Sequence, residues 1–147
     1  MATIHAYVTR DVQALDGSTP AREAARLMAE RRIGSIAVRE AGRITGLVTE
    51  RDLVETVLAR GGDPSMPIHS AMRPGIPRVH CRATEQDAAR LMRDHFTRHL
   101  LVEDEGEVVG IVSMRDIIAL MLEEKQFLIE QLQTYINGPA ISTVGLS

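Results

Sequence analysis

Two stretches of this chain place a hydroxyl and a carboxylate three residues apart, with an arginine between them. They are Thr49-Glu50-Arg51-Asp52 and Ser113-Met114-Arg115-Asp116. Each follows a glycine and two apolar residues, Gly46-Leu47-Val48 and Gly110-Ile111-Val112. The pattern reads as a strand delivering its end into a helix. A helix N-terminus presents free N–H groups and a partial positive charge, which suits a phosphate. Thr49 or Ser113 can donate to an oxyanion, and Asp52 or Asp116 can accept from two vicinal hydroxyls, as on a ribose. Arg51 and Arg115 can reach a phosphate. The same residue types also cap any helix, and an arginine there is as often a solvated charge. Recurrence of the whole set at equivalent positions favours the ligand chemistry.

Other candidate chemistry is weaker. His95 and His99 stand four apart, a metal spacing only if one helix carries both, and the helix reads as ending near His95, so no metal site is expected. Cys81 is the only cysteine; it cannot form an internal disulfide and is expected to be a small buried thiol in a reducing cytoplasm. Phosphate loops, dinucleotide fingerprints, zinc-protease motifs and a Ser/His/Asp grouping are all absent, which disfavours an enzyme. A net charge of −3, no tryptophan, two Phe and two Tyr offer nucleic acid neither a basic face nor a stacking platform. The N-terminus shows no signal-peptide pattern. The longest apolar run, Ile117–Leu122, is too short to span a bilayer.

These residues must be positioned by elements, and the elements repeat. Ala24-Ala25-Arg26-Leu27-Met28 returns as Ala88-Ala89-Arg90-Leu91-Met92, and residues 18–54 match 82–118 at 11 of 37 positions without a gap. A repeat of this length is a fold unit. Each unit is too small to be robust alone, so the two are expected to fold packed together. Val12–Leu15 reads as a short strand, and Thr19 as the cap of a helix with Pro20 at its first position and Gly34 as its stop. Strands follow at Ser35–Arg39 and Arg43–Thr49, then a helix over Asp52–Arg60. A Gly/Pro-punctuated connector over 61–77 holds one helical turn near Ile68–Met72. The second copy repeats the order: a strand at Arg78–Cys81, a helix capped by Thr84 and running to about His95, strands at His99–Glu103 and Glu107–Ser113, and a final helix from Arg115 to about Ile136. Met28, Met92, Met114 and Met121 read as core filling. The final helix is more than double its counterpart, and its apolar stripe is expected to serve association. The tail after Gly138-Pro139 carries no clear structure signal.

The βαββα order, the Ala-Ala-x-Leu-Met helix, the apolar hairpin and the Gly-apolar-apolar-Thr/Ser-x-x-Asp ending, all present twice, resemble the CBS domain, named after cystathionine β-synthase. Two in tandem resemble a Bateman module. The resemblance covers about residues 8–122. It implies a mixed α/β (α+β) fold of two CBS repeats packed through their sheets, domain 1 over 8–62 and domain 2 over 68–122, with 123–147 as a C-terminal helix extension and tail. It implies a stand-alone regulatory pair, not an enzyme, that binds AMP, ADP, ATP or NAD-type ligands in clefts between the repeats. Such a pair forms a homodimer and signals to an unidentified downstream protein. The rival reading is an assembly module whose clefts are vestigial.

Carried over by position, Asp52 and Asp116 match the family's ribose-binding aspartate, and Thr49 and Ser113 its hydroxyl. Thr84 matches a threonine that opens the first helix and faces the ligand; the first copy has Pro20 there, with Thr19 one residue earlier. The adenine is implied to lie against strand residues such as Val38 and Val102. Ahead of the second strand, the second copy carries Arg98-His99 where the first carries Gly34-Ser35. The expectation is an asymmetric pair of sites, in which the cleft served by Arg98 and His99 takes the charged phosphate.

Overall fold

The computed structural model describes residues 3–144, with side chains through residue 137. The first half contains β1 (Ala14–Asp16), α1 (Ala21–Arg31), β2 (Ser35–Glu40), β3 (Arg43–Thr49) and α2 (Glu50–Leu53). α2 widens at once into a π-helical turn over Val54–Ala59. The connector holds the one-turn α3 (Ile68–Ala71). The second half contains β4 (Arg78–His80), α4 (Glu85–Asp94), β5 (His99–Asp104), β6 (Glu107–Ser113) and α5 (Met114–Val144).

Each half makes its own three-stranded sheet, in the orders β1-β2-β3 and β4-β5-β6. In both, the central strand runs parallel to the first and antiparallel to the third. Two-residue loops, Ala41-Gly42 and Glu105-Gly106, close the hairpins with positive φ at all four residues. That is the turn whose twist matches the strands it joins, and glycine at the second position removes most of its strain.

Strand alternation decides what each half shares. Ile36 and Val38 face their own helix and pack with Ala24, Met28 and Ile68. Leu100 and Val102 do the same with Ala88, Met92 and Ile117. The residues between them, Ala37 and Leu101, join Leu47 and Ile111 in a third cluster that belongs to both sheets. Ala37 and Leu101 are repeat equivalents, as are Leu47 and Ile111. Arg43 and Glu107, also equivalents, meet at 3.0 Å. Equivalent residues meet across a local two-fold axis, so the halves pack sheet to sheet about a pseudo-two-fold.

The segments flanking the repeats cross between halves. Near the N-terminus, Thr9 exchanges two backbone hydrogen bonds with Ile111 (2.9 and 3.0 Å), and Ile4 N–H donates to the Ala83 carbonyl. The connector returns to the first half, where Ala21 N–H donates to Met66 and Ile68 N–H to Thr19.

Several local expectations are corrected. β1 begins at Ala14, leaving Val12 and Gln13 outside it. Thr19 is not the cap of α1: Pro20 stands at the N-cap with no side-chain bond, because the connector occupies that end of the helix. α1 stops at Arg31, and the left-handed C-cap is Arg32 rather than Gly34. Arg32 N–H closes the helix on the Met28 carbonyl. α5 begins at Met114 and its backbone stays helical through Val144, past Gly138-Pro139. Met28 and Met92 fill the core, whereas Met121 is 38% exposed.

Glu85, the first residue of α4, is a buried carboxylate whose Oε2 has no hydrogen-bond partner among the described residues. Burial raises its pKa above the ordinary 4.5, and Glu124 on α5 raises it further. With the folded value above the unfolded one, its stabilising contribution is complete below about pH 4.5 and is lost as pH rises through the folded pKa. Glu85→Gln is therefore expected to raise the urea midpoint at pH 8, with the gain shrinking toward pH 4.5. A gain independent of pH would contradict this account.

Candidate functional site

A cleft of about 1120 Å³ opens between the halves. The second half contributes Arg98 and His99 from the start of β5, and Ser113, Met114, Arg115 and Asp116 from the β6–α5 junction. The first half contributes Arg31, Arg32, Ile33, Gly34 and Ser35, plus Glu50 at the start of α2. Thr9, Asp11, Val12 and Gln13 close one side.

The β6–α5 junction is built as its sequence requires. Asp116 Oδ2 accepts from Ser113 N–H (2.9 Å) and from Ser113 Oγ–H (2.8 Å), while Asp116 N–H donates back to Ser113 Oγ (3.2 Å). This reciprocal cap fixes the carboxylate at the helix N-terminus. Asp116 remains partly exposed to the cleft.

The first-half junction has the same local bonds and a different surrounding. Thr49 N–H donates to Asp52 Oδ2 (2.8 Å), and Asp52 N–H donates to Thr49 Oγ1 (3.2 Å). Here both residues are buried, Asp52 at 7% exposure. The Arg73 backbone, in the connector, also favours the ionised carboxylate, although burial outweighs this and the Thr49 bonds and raises the pKa above 3.8. The equivalent of Arg73 in the other half is Thr9, whose N–H is taken by the Ile111 carbonyl instead. Neither Thr49 nor Asp52 lines the large cleft. Arg51 points to solvent and pairs with Glu55 at 2.8 Å.

His99 is a half-buried titratable group of the cleft. Desolvation pushes its pKa below the ordinary 6.5, Arg98 adds to that, and Glu50 and Asp116 pull the other way. The ring is neutral at pH 7. Its position depends on Gly34: a Cβ there would stand 3.3 Å from the His99 ring and 3.4 Å from Glu50. The segments that distinguish the copies, Gly34-Ser35 and Arg98-His99, therefore face each other across this cleft. Four arginines, 31, 32, 98 and 115, line it against the acids Asp11, Glu50 and Asp116.

Sequence reasoning missed Arg31, Arg32 and Glu50. The signal was present in the adjacent basic pair at the end of α1, just before Gly34 and the β2 strand that Ser35 opens.

The remaining expected site residues lie elsewhere. Thr84 accepts from Asp87 N–H (3.1 Å) as the cap of α4, and it does not line the cleft. Thr19 lies against the connector. Val38 and Val102 are fully buried in their separate cores, so neither offers a surface for a base. The apolar surface in the cleft comes from Val12, Met28, Ala29, Ile33, Ile111 and, on α5, Ile118. A smaller apolar recess of about 260 Å³ continues from it beneath α1, beside Ala25 and Leu53.

Among the described residues, His80, Cys81 and Asp104 form a cluster whose possible ligand atoms lie within 4.8 Å of one another. His80 Nδ1 accepts from Arg82 N–H (3.1 Å). That bond puts the proton of the neutral ring on Nε2, the nitrogen 3.6 Å from Asp104. A cation at Nε2 would have to displace that proton and break the Arg82 bond. No described helix is long and apolar enough to cross a membrane.

Comparison with known proteins follows the same division of the chain. The family model described as CBS domain matches twice, at residues 4–59 and 68–123. The CBS domain-containing protein YhcV of Bacillus subtilis is 30% identical over 117 residues, covering 80% of this chain and 84% of that protein. The crystal structure of an uncharacterised conserved protein from Pyrococcus horikoshii superposes with a TM-score of 0.75 at 29% identity, over 82% of this chain and 92% of that one. The structure of CBSX2 in complex with AMP has the same fold, with a TM-score of 0.72 at 21% identity over 84% and 98% of the two chains.

Proposed function

The chain belongs to the CBS-domain family and carries two such domains in tandem; on that premise we propose that it is a regulatory module that binds an adenine nucleotide in the cleft between them. The observation that carries this reading is the cleft itself. It combines a fixed carboxylate at a helix N-terminus, four arginines and an apolar recess. Those are the three demands of a ribose, a phosphate and a base. Asp116 takes the ribose hydroxyls, Arg98 and Arg115 the phosphate, and Met28, Ala29 and Ile33 the base. AMP in the CBSX2 complex supports this choice, and ADP, ATP or NAD satisfies the same chemistry. The single buried thiol fits a cytoplasmic setting.

The output is conformational and non-enzymatic. Ligand contacts come from both halves, so a nucleotide favours whichever relative placement of the halves binds it better. Asp116 sits in the first turn of α5, which ties the ligand to the long helix and through it to a second copy of the chain and a downstream protein.

Calorimetric titration with AMP, ATP and NAD, with adenosine and inorganic phosphate as controls, tests the reading. Saturable binding of at least one nucleotide, without turnover, is expected. Flat titrations across the panel would leave the assembly reading in its place. The cleft adds a pH signature. A phosphate beside His99 raises its depressed pKa, so binding takes up a proton. The affinity gained is present at low pH and lost as pH rises through the ligand-bound value. Between pH 8 and pH 6, AMP binding by the parent protein should strengthen several-fold more than binding by His99→Gln. Identical pH profiles would remove His99 from the phosphate site.

A further inference from the structure

α5 is far longer than its repeat equivalent and leaves the body it starts on. Ile117 and Leu120 are buried against the second half. Ile118, Leu122, Ile129, Leu132 and Ile136 are 39–71% exposed. With Lys125 these residues recur at spacings of four and three, so all six fall on one stripe. That 3.5-residue period is the one by which a helix meets another helix lengthwise. The stripe is about 27 Å long at 1.5 Å per residue. Five large apolar side chains are exposed together along that length. Monomers rarely expose a large contiguous apolar patch.

Charge and symmetry choose the occupant. Over residues 118–136 the charged residues are Glu123, Glu124, Lys125 and Glu130, a net of −2. A helix that lies on an anionic lipid surface carries the opposite sign. Lys125 is the single lysine beside sixteen arginines, and it divides the stripe into two apolar parts. Two parallel copies would stack one ammonium on the other. Two antiparallel copies crossing near residue 127 set Ile118 against Ile136 and Leu122 against Leu132. Each Lys125 then lies within one residue of Glu130 on the second copy. A polar residue at one such position is a recognised way to specify orientation, and the contact is self-complementary about a two-fold.

We infer that α5 pairs antiparallel with α5 of a second copy, with Lys125 setting the orientation. This rests on the self-association in the proposed function and does not require that a nucleotide be bound, although Ile118 at the start of the stripe also lines the cleft. Sedimentation equilibrium of the full chain should give a dimer, and Leu122→Glu/Leu132→Glu a monomer that still binds AMP saturably. A double variant that remains dimeric overturns the α5 surface while self-association stands. A monomeric parent overturns both, and neither result touches nucleotide binding. Orientation is read from disulfides, with Cys81 left in place because it is buried. Leu122→Cys and Leu132→Cys chains should cross-link when mixed and oxidised, and neither should alone. Cross-linking by either chain alone, or none in the mixture, overturns the antiparallel pairing.

Discussion

Replacing Asp116 by alanine is expected to weaken AMP binding by about 10- to 100-fold, the range for losing hydrogen bonds to a charged acceptor at about 1.5–3 kcal/mol. Asp52→Ala should change AMP affinity by less than about twofold, within the scatter of a distant substitution. The two aspartates are repeat equivalents with nearly identical local bonds, so the contrast cannot come from the motif. It comes from exposure: Asp116 opens on the cleft, whereas Asp52 is buried and bound into its own cap. Both substitutions remove a helix cap, which costs about 1 kcal/mol of stability in either half. Melting curves recorded beside the calorimetry separate that loss from the loss of ligand. Asp116→Asn keeps an acceptor for the Ser113 N–H and removes the charge. It should retain the fold and bind AMP more weakly than the parent. Equal losses of affinity at positions 52 and 116 would show that a second site, at Asp52, shares the work.

The second large effect is on the fold. Leu101→Ala is expected to destabilise the protein by about 2–5 kcal/mol, the usual range for emptying a fully buried leucine site. Leu101 is 1% exposed and belongs to the cluster that both sheets build, with Ala37, Leu47 and Ile111. Total stability for a chain of this size is about 5–15 kcal/mol, so the loss is a large share of it. Because the cluster belongs to both halves, urea unfolding should stay a single transition at a lower midpoint, monitored by far-ultraviolet circular dichroism. Two separated transitions would mean that each half stands alone on its own core. A loss below about 1 kcal/mol would mean that the sheets close up around the missing side chain.

Much of this architecture was legible in the residues. The hairpins were readable because strand alternation and the Gly42 and Gly106 turns are local signals. The junctions at Thr49–Asp52 and Ser113–Asp116 were readable because capping chemistry acts over three residues. Errors fell where a neighbour remote in sequence decides. The start of α1 was misplaced because the connector, some 45 residues on, takes that helix end. Val38 and Val102 were assigned to the ligand because apolar strand residues suggest a surface for a base. Which of two alternating faces meets the other sheet depends on the packing of the halves, and Ala37 and Leu101 hold that place. Arg31 and Arg32 went unnoticed because nothing local to the end of α1 announces that the β6–α5 junction stands opposite.

The sequence alone determined that the chain is a doubled unit, what that unit's elements are, and that each copy ends in a hydroxyl and a carboxylate at a helix start. Those properties follow from periodicity, turn chemistry and caps, which act within a few residues of chain. Long-range packing set the rest: one of two equivalent carboxylates is open, and Gly34 makes room for His99 in a cleft shared with Arg98. The cause is the crossing of the flanking segments: Thr9 pairs with β6 where Asp116 stays partly exposed, while the connector's Arg73 stands at the equivalent place beside Asp52, which is buried. A near-symmetric sequence thus yields an asymmetric site, because the segments that cover its two ends are not copies of each other.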